Sequence, residues 1–130
     1  MEKICLIVDD MFFASKINGA AAAAGREVVR LRTQEQLEQL ATAPPQLVII
    51  DLKAERLDPT QAIAFLKSSD ALRAVPVVAF TSHVQTETIR RAQAAGCDVV
   101  LPHSAFTQML PEIVAGNLDK LMRRPPTPGH

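Results

Sequence analysis

Three aspartates, a threonine and two histidines stand where short apolar runs end. Asp9 and Asp10 follow ICLIV at 4–8, Asp51 follows LVII at 47–50, and Thr81, Ser82 and His83 follow VVAF at 77–80. A further run, Val99 to Leu101, leads into Pro102, His103 and Ser104. If these runs are strands of one parallel sheet, their polar ends meet along one edge. Carboxylates sharing a site push one another towards the neutral form unless a cation neutralises them. A hard divalent ion does so with oxygen ligands: Mg²⁺ takes one or two carboxylates and keeps positions for water or phosphate oxygens. Singly, each residue has a plainer explanation. Asp10 suits a helix N-cap, Asp51 a solvated loop carboxylate, and Thr81 an ordinary strand-end hydroxyl. Their coincidence at one edge is what favours a site.

The spacing of the apolar residues predicts the elements that would hold them there. Strands are expected at Ile4 to Val8, Glu27 to Leu31, Leu47 to Ile50, Val77 to Phe80 and Val99 to Leu101. Between them lie helical stretches: Met11 to Ala24, Thr33 to Ala41 behind a Thr cap, Thr60 to Lys67, and Thr86 to Ala95. Gly25 and Gly96 suit the stop positions of the first and fourth helices. A last helix runs to about Met122 and starts near Thr107, because Pro111 is then tolerated in its first turn. Strands and helices in strict alternation imply an α/β fold, a doubly wound five-stranded parallel sheet with five helices. In such sheets the functional crevice lies at the carboxyl ends of the strands.

Composition narrows the function classes. The 130 residues hold 14 Lys+Arg and 14 Asp+Glu, a formal net charge of zero, which argues against a dedicated nucleic-acid binder. Tyr and Trp are absent and Phe numbers 5, so aromatic stacking on bases is not the expected chemistry. No apolar run approaches the roughly 18–20 residues that span a bilayer, and no secretory leader is visible. Cys5 and Cys97 form no CxxC and read as reduced thiols, so a cytoplasmic protein without membrane contact is expected. Cys5 reads as a small core residue and Cys97 as a loop or strand-start thiol. The expected domain covers 1–123, followed by a Pro-rich tail at 124–130 and no output domain.

Other small α/β sites are missing their signatures. There is no GxxxxGK[ST], no GxGxxG after the first strand and no GxSxG elbow. His83, His103 and His130 are too scattered, with the two thiols, to match a zinc site.

Together, Asp9-Asp10, LVIIDL with Asp51, PVVAFTS with Thr81, and the Ala95-Gly96-Cys97-Asp98 turn resemble the receiver domain of two-component response regulators, over about residues 3–122. The family's fold is a five-stranded doubly wound sheet of flavodoxin-like type. The resemblance implies that Asp51 accepts a phosphoryl group from a histidine kinase or phosphotransfer protein. It implies Mg²⁺ held by Asp10 and Asp51, by Asp9 largely through water, and by the backbone carbonyl of Lys53. Thr81 would turn its hydroxyl to the phosphoryl group, supported by the Ser82 N–H. The signal would leave by binding a downstream target protein. Many receivers pair through the fourth helix, fifth strand and fifth helix. Arg90, Arg91, Asp98, Asp119 and Lys120 are the charges available there for a homodimer. No enzymatic role is implied beyond weak self-dephosphorylation.

The sequence departs from the family at informative places. The family's Lys-Pro pair after the fifth strand is absent. Counting without gaps from Gly96 puts His103 at the lysine position, whereas a gapped alignment puts Leu101 there. A neutral His donates one hydrogen bond, and only the protonated ring replaces the charge. Val100 takes the place of the switch aromatic, and Asp58-Pro59 stands near the family's Asp-Gly. Lys53 and His83 would lean over the pocket, with Lys53 available to pair with Asp51. Phe13 falls on the core stripe of the first helix, while Phe12 points about 100° away and is free for a partner. Two further readings follow. One is a pseudo-receiver, an interaction module independent of phosphorylation. The other is an Asp-nucleophile hydrolase of dehalogenase type, which Asp51-Leu52-Lys53 fits poorly because it lacks that group's D-x-D.

Overall fold

The computed structural model describes residues 2–82 and 86–118. Within them five strands alternate with five α-helices: β1 (Lys3–Ile7), α1 (Met11–Ala23), β2 (Glu27–Arg30), α2 (Gln34–Gln39), β3 (Leu47–Asp51), α3 (Pro59–Ser68), β4 (Val77–Thr81), α4 (Thr86–Ala94), β5 (Val99–Pro102) and α5 (His103–Val114). A single 3-10 turn, Leu40–Thr42, extends α2. All strands pair in parallel in the order β2-β1-β3-β4-β5, the doubly wound arrangement expected from the sequence. The chain leaves β1 to one side and returns to the other through β3, so the sheet's crevice opens between the carboxyl ends of β1 and β3.

The strands read as continuous apolar runs because both faces of the sheet are covered. Alternate residues go to opposite sides. Ile4, Leu6, Ile49 and Phe80 pack with Phe13, Ile17 and Phe106 under α1 and α5. Cys5, Ile7, Val48, Ile50 and Ala79 pack with Leu37, Ile63 and Leu66 under α2 and α3. Fully burying side chains of this size stabilises by about 1.5–3 kcal/mol each before entropy is counted.

Local chemistry sets most helix ends. Thr33 and Gln36 form a capping box at α2. Asp58 accepts the Gln61 N–H and Pro59 occupies the first turn, so α3 starts one residue before the expected Thr60. Gly96 carries φ +106° after α4, a region an L side chain avoids.

The largest departure from expectation is α5. It starts at His103, not near Thr107, and ends at Val114, not near Met122. Pro102 is its N-cap and makes no side-chain capping bond, so no capping side chain marks the start. Pro111 therefore lies inside the helix. The helix stops where Gly116 turns to φ +87° and Arg26 donates to the Ala115 carbonyl at 2.9 Å. His83, Asp119, Lys120 and the Pro-rich tail lie outside the described residues. Among the described residues no helix is long and apolar enough to cross a membrane.

Candidate functional site

The carboxyl edge of the sheet carries an open cleft of about 510 Å³. Asp9 and Asp10 reach it from the turn after β1, Asp51 from the end of β3, Ser82 from the residue after β4, and His103 from the start of α5. The parallel register puts these ends together: Asp51 lies opposite Phe80, and Thr81 opposite Pro102. Thr81 itself is buried, with 3% exposure, at the last position of β4.

Each aspartate is engaged differently. Asp10 is the N-cap of α1, its Oδ1 accepting the backbone N–H of Phe12 at 2.9 Å and of Phe13 at 3.2 Å. Asp9 reaches across to the loop after β3, where Oδ2 accepts the N–H of Glu55 at 2.7 Å and of Arg56 at 3.3 Å. Asp51 is half-buried, and its Oδ1 accepts the Lys53 N–H at 2.9 Å. Burial holds the Asp51 carboxyl above its ordinary value. The Lys53 N–H opposes that rise, the Asp9 charge adds to it, and the charges of Lys53 and His103 oppose it.

These bonds decide how the site suits a divalent cation. Among the described residues no three His, Cys, Asp or Glu side chains converge closely enough to hold a metal ion. Among the described residues, one oxygen of each aspartate nevertheless has no bond to the backbone: Asp9 Oδ1, Asp10 Oδ2 and Asp51 Oδ2. Such a set fits a cation of the Mg²⁺ kind, which keeps several waters and needs only one or two carboxylates.

The structure distinguishes the two candidates for the lysine position. Leu101 is buried in the core, with 4% exposure, whereas His103 lines the cleft. Its ring lies against Phe13, with centroids 4.5 Å apart, and edge-on to Phe80 at 5.8 Å. Val100 is partly buried against the α2–α3 side of the core. Lys53 lines the cleft, but it is its backbone N–H that donates to Asp51. Phe13 is buried and Phe12 is 80% exposed beside the cleft, as the helical spacing predicts.

One partner-face residue is committed internally. Asp98 Oδ2 accepts from the Lys67 ammonium at 2.7 Å and from the Val77 N–H at 2.8 Å, so that oxygen already serves the fold. Arg90 and Arg91 lie within 3.7 and 3.9 Å of Glu87 on their own exposed helix.

Sequence reasoning missed Lys16 and Glu55, which also line the cleft. Lys16 was discoverable, since it lies four residues beyond Phe12 on the same helical face. It also missed Arg30, which donates to the Val8 carbonyl at 2.9 Å; nothing in EVVR signals that contact.

No protein-family model matches the chain. The polar-differentiation response regulator DivK of Brucella anthropi is 27% identical over 103 residues, covering 78% of this chain and 84% of that one. The phosphorylated cyanobacterial phytochrome response regulator RcpA superposes with a TM-score of 0.74 over 98% of this chain and 99% of its own, at 22% identity. The chain has the fold of these response regulator receivers and resembles response regulators in sequence. The Mn²⁺-bound form of response regulator Rcp1 superposes with a TM-score of 0.71 at 19% identity, over 98% of each chain. The low identities, with His103 and Val100 where the resemblance implies a lysine and an aromatic, make the likeness an atypical one.

Proposed function

We propose that this receiver accepts a phosphoryl group on Asp51 in a two-component phosphorelay and signals by binding a partner protein. The observation that carries this reading is Asp51 itself: half-buried in an acidic cleft, with Oδ1 tied to Lys53 and Oδ2 without a backbone bond among the described residues. Oδ2 attacks the phosphorus of a phosphohistidine on a histidine kinase or phosphotransfer protein. The O–P bond forms, the P–N bond breaks, and the departing imidazole takes a proton from solvent. Phosphoryl transfer asks mainly for positioning and charge neutralisation. Asp9, Asp10 and Asp51, with the Lys53 carbonyl, would hold Mg²⁺. Bound there, the cation would supply the positive charge that the transferring oxygens need. The Thr81 hydroxyl, the Ser82 N–H and the His103 ring provide donors for those oxygens. The chain is a phosphoacceptor and not a turnover enzyme, with at most weak self-dephosphorylation. It acts in the cytoplasm, away from membranes and nucleic acid, and its target is another protein. A homodimer through α4, β5 and α5 is a further partner state.

A pseudo-receiver working without phosphorylation is the second reading. It is favoured by the missing lysine and by the engagement of Asp9 and Asp10 with backbone N–H groups. The test is to incubate the protein with Mg²⁺ and acetyl phosphate or beryllofluoride, following intact mass and amide NMR shifts, with Asp51→Ala as control. A phosphoryl mass increment that needs Asp51 supports the phosphoacceptor. Absence of any Asp51-dependent change across millimolar Mg²⁺ leaves the pseudo-receiver.

A further inference from the structure

Arg30 ends β2, the edge strand beside β1, and turns its guanidinium over the carboxyl end of β1. Nη2 donates to the Val8 carbonyl at 2.9 Å and lies 3.4 Å from the Asp9 carbonyl. Nη1 lies against the Met11 thioether at the first residue of α1. The side chain therefore touches the chain on both sides of the Asp9-Asp10 turn. β1 ends at Ile7, so the next carbonyls have left the sheet and need donors of their own. Arg30 provides them. Its planar fork offers donors fixed in direction, whereas a lysine offers one compact, freely turning ammonium.

A second observation sets this arginine apart from an ordinary surface cation. Its Nε is buried with no hydrogen-bond partner among the described residues. Burying a donor unpaired is unfavourable, so the site holds the guanidinium in this pose against a local cost. What that pose secures is the path of Val8, Asp9 and Asp10, and hence the directions of two carboxylates. Asp9 points to the Glu55 N–H and Asp10 caps α1. A turn free to rotate about Val8 would aim neither.

We propose that Arg30 is a positioning residue for the acidic pair, acting through the Val8 and Asp9 carbonyls. It does not itself line the cleft. Its role towards a divalent cation rests on the proposed function above. Groups that orient metal ligands typically change affinity about tenfold or more when removed.

The test compares the parent with Arg30→Met and Arg30→Lys, each checked for folding by thermal unfolding. Mg²⁺ is titrated with the Asp9 and Asp10 amide and side-chain carboxyl resonances as readout. The expected result is Mg²⁺ binding weakened about tenfold in Arg30→Met, with Arg30→Lys between the two. Equal affinity in the parent and a folded Arg30→Met overturns the inference while leaving the phosphoacceptor reading standing. The cation-free spectra provide an independent arm. Arg30→Met is expected to shift the Asp9 and Asp10 resonances before any Mg²⁺ is added, more than equally distant residues of β2. If the parent binds no Mg²⁺, the reading of the cleft fails, and this arm alone decides. Unmoved Asp9 and Asp10 signals then overturn the role of Arg30 as well. Should Arg30→Met unfold, Arg30→Lys carries the same comparison.

Discussion

The backbone N–H of Glu55 donates to Asp9 Oδ2 at 2.7 Å, so a carboxylate of the acidic cleft also anchors the loop that follows β3. A cation drawn to Asp9 competes with that bond. Titration with Mg²⁺ is expected to shift the Glu55 and Arg56 amide resonances along with those of Asp9. Saturating Mg²⁺ with both amides unmoved would show that Asp9 keeps its loop contacts. Asp9→Ala removes the charged acceptor at a half-buried position, and a loss of about 1 kcal/mol in urea unfolding is expected.

Asp51 is held against its own stability. Its carboxyl is raised by burial first, with the Asp9 charge adding to the effect. A folded-state value above the unfolded one means a contribution present below the unfolded value and lost as pH rises through the folded one. Asp51→Asn is therefore expected to raise Tm at neutral pH. The difference should close as the pH falls below about 4, where the carboxyl is protonated in both states. An unchanged or lowered Tm at pH 7 counts against this account.

His103 offers an imidazole donor where the resemblance to receivers implies a lysine ammonium. A charge-assisted bond is worth roughly 1 kcal/mol more than a neutral one, or about fivefold in affinity. His103→Lys is expected to tighten beryllofluoride binding by about that factor above pH 7, measured by NMR titration. The tilted ring contact with Phe13 is lost in the exchange, so a small drop in Tm should accompany the gain.

At the opposite edge of the sheet, the Lys67 ammonium reaches Asp98 and the carbonyls of Arg73 and Val75. The pair is only partly exposed, 16% and 23% for the two side chains. Removing one partner of a well-buried pair costs about 3–5 kcal/mol, and partial exposure reduces this. Lys67→Met is expected to lose about 2 kcal/mol in urea unfolding. By contrast, Glu87→Gln should change stability by less than about 0.5 kcal/mol, because its arginine contacts are exposed.

The two thiols should be inert at neutral pH. Burial pushes Cys5 and Cys97 each up to about 11. Alkylation by iodoacetamide at pH 7–8 is expected to be far slower in the folded protein than in urea. Because the folded values lie above the unfolded ones, stability is full below about pH 9 and falls as pH rises towards about 11. Each thiol accounts for up to about 2–3 kcal/mol of that fall. Replacing both by alanine or serine should flatten the alkaline limb of a Tm–pH profile.

Much of the fold and of the cleft is legible in the chain itself. Short β-branched runs separated by helical stretches dictate a parallel sheet, since parallel neighbours need a crossover between them. Asp9, Asp10, Asp51 and Ser82 come together because each directly follows, or closes, such a run. Periodicity also sorts Phe13 from Phe12. These are local signals, carried by neighbours within a turn or a strand.

The remainder depends on partners distant in the chain. Whether His103 or Leu101 meets the cleft was settled by β4–β5 register, which sets Phe80 opposite Leu101 and Thr81 opposite Pro102. The start of α5 carries no capping side chain, and its end is shaped by Arg26, far earlier in the chain. Arg30 beneath the acidic pair and Lys67 on Asp98 leave no periodic trace either. Secondary structure follows from backbone sterics and apolar spacing, which a sequence displays. The aim of a charged side chain follows from which unpaired carbonyl or carboxylate the finished fold brings within its reach.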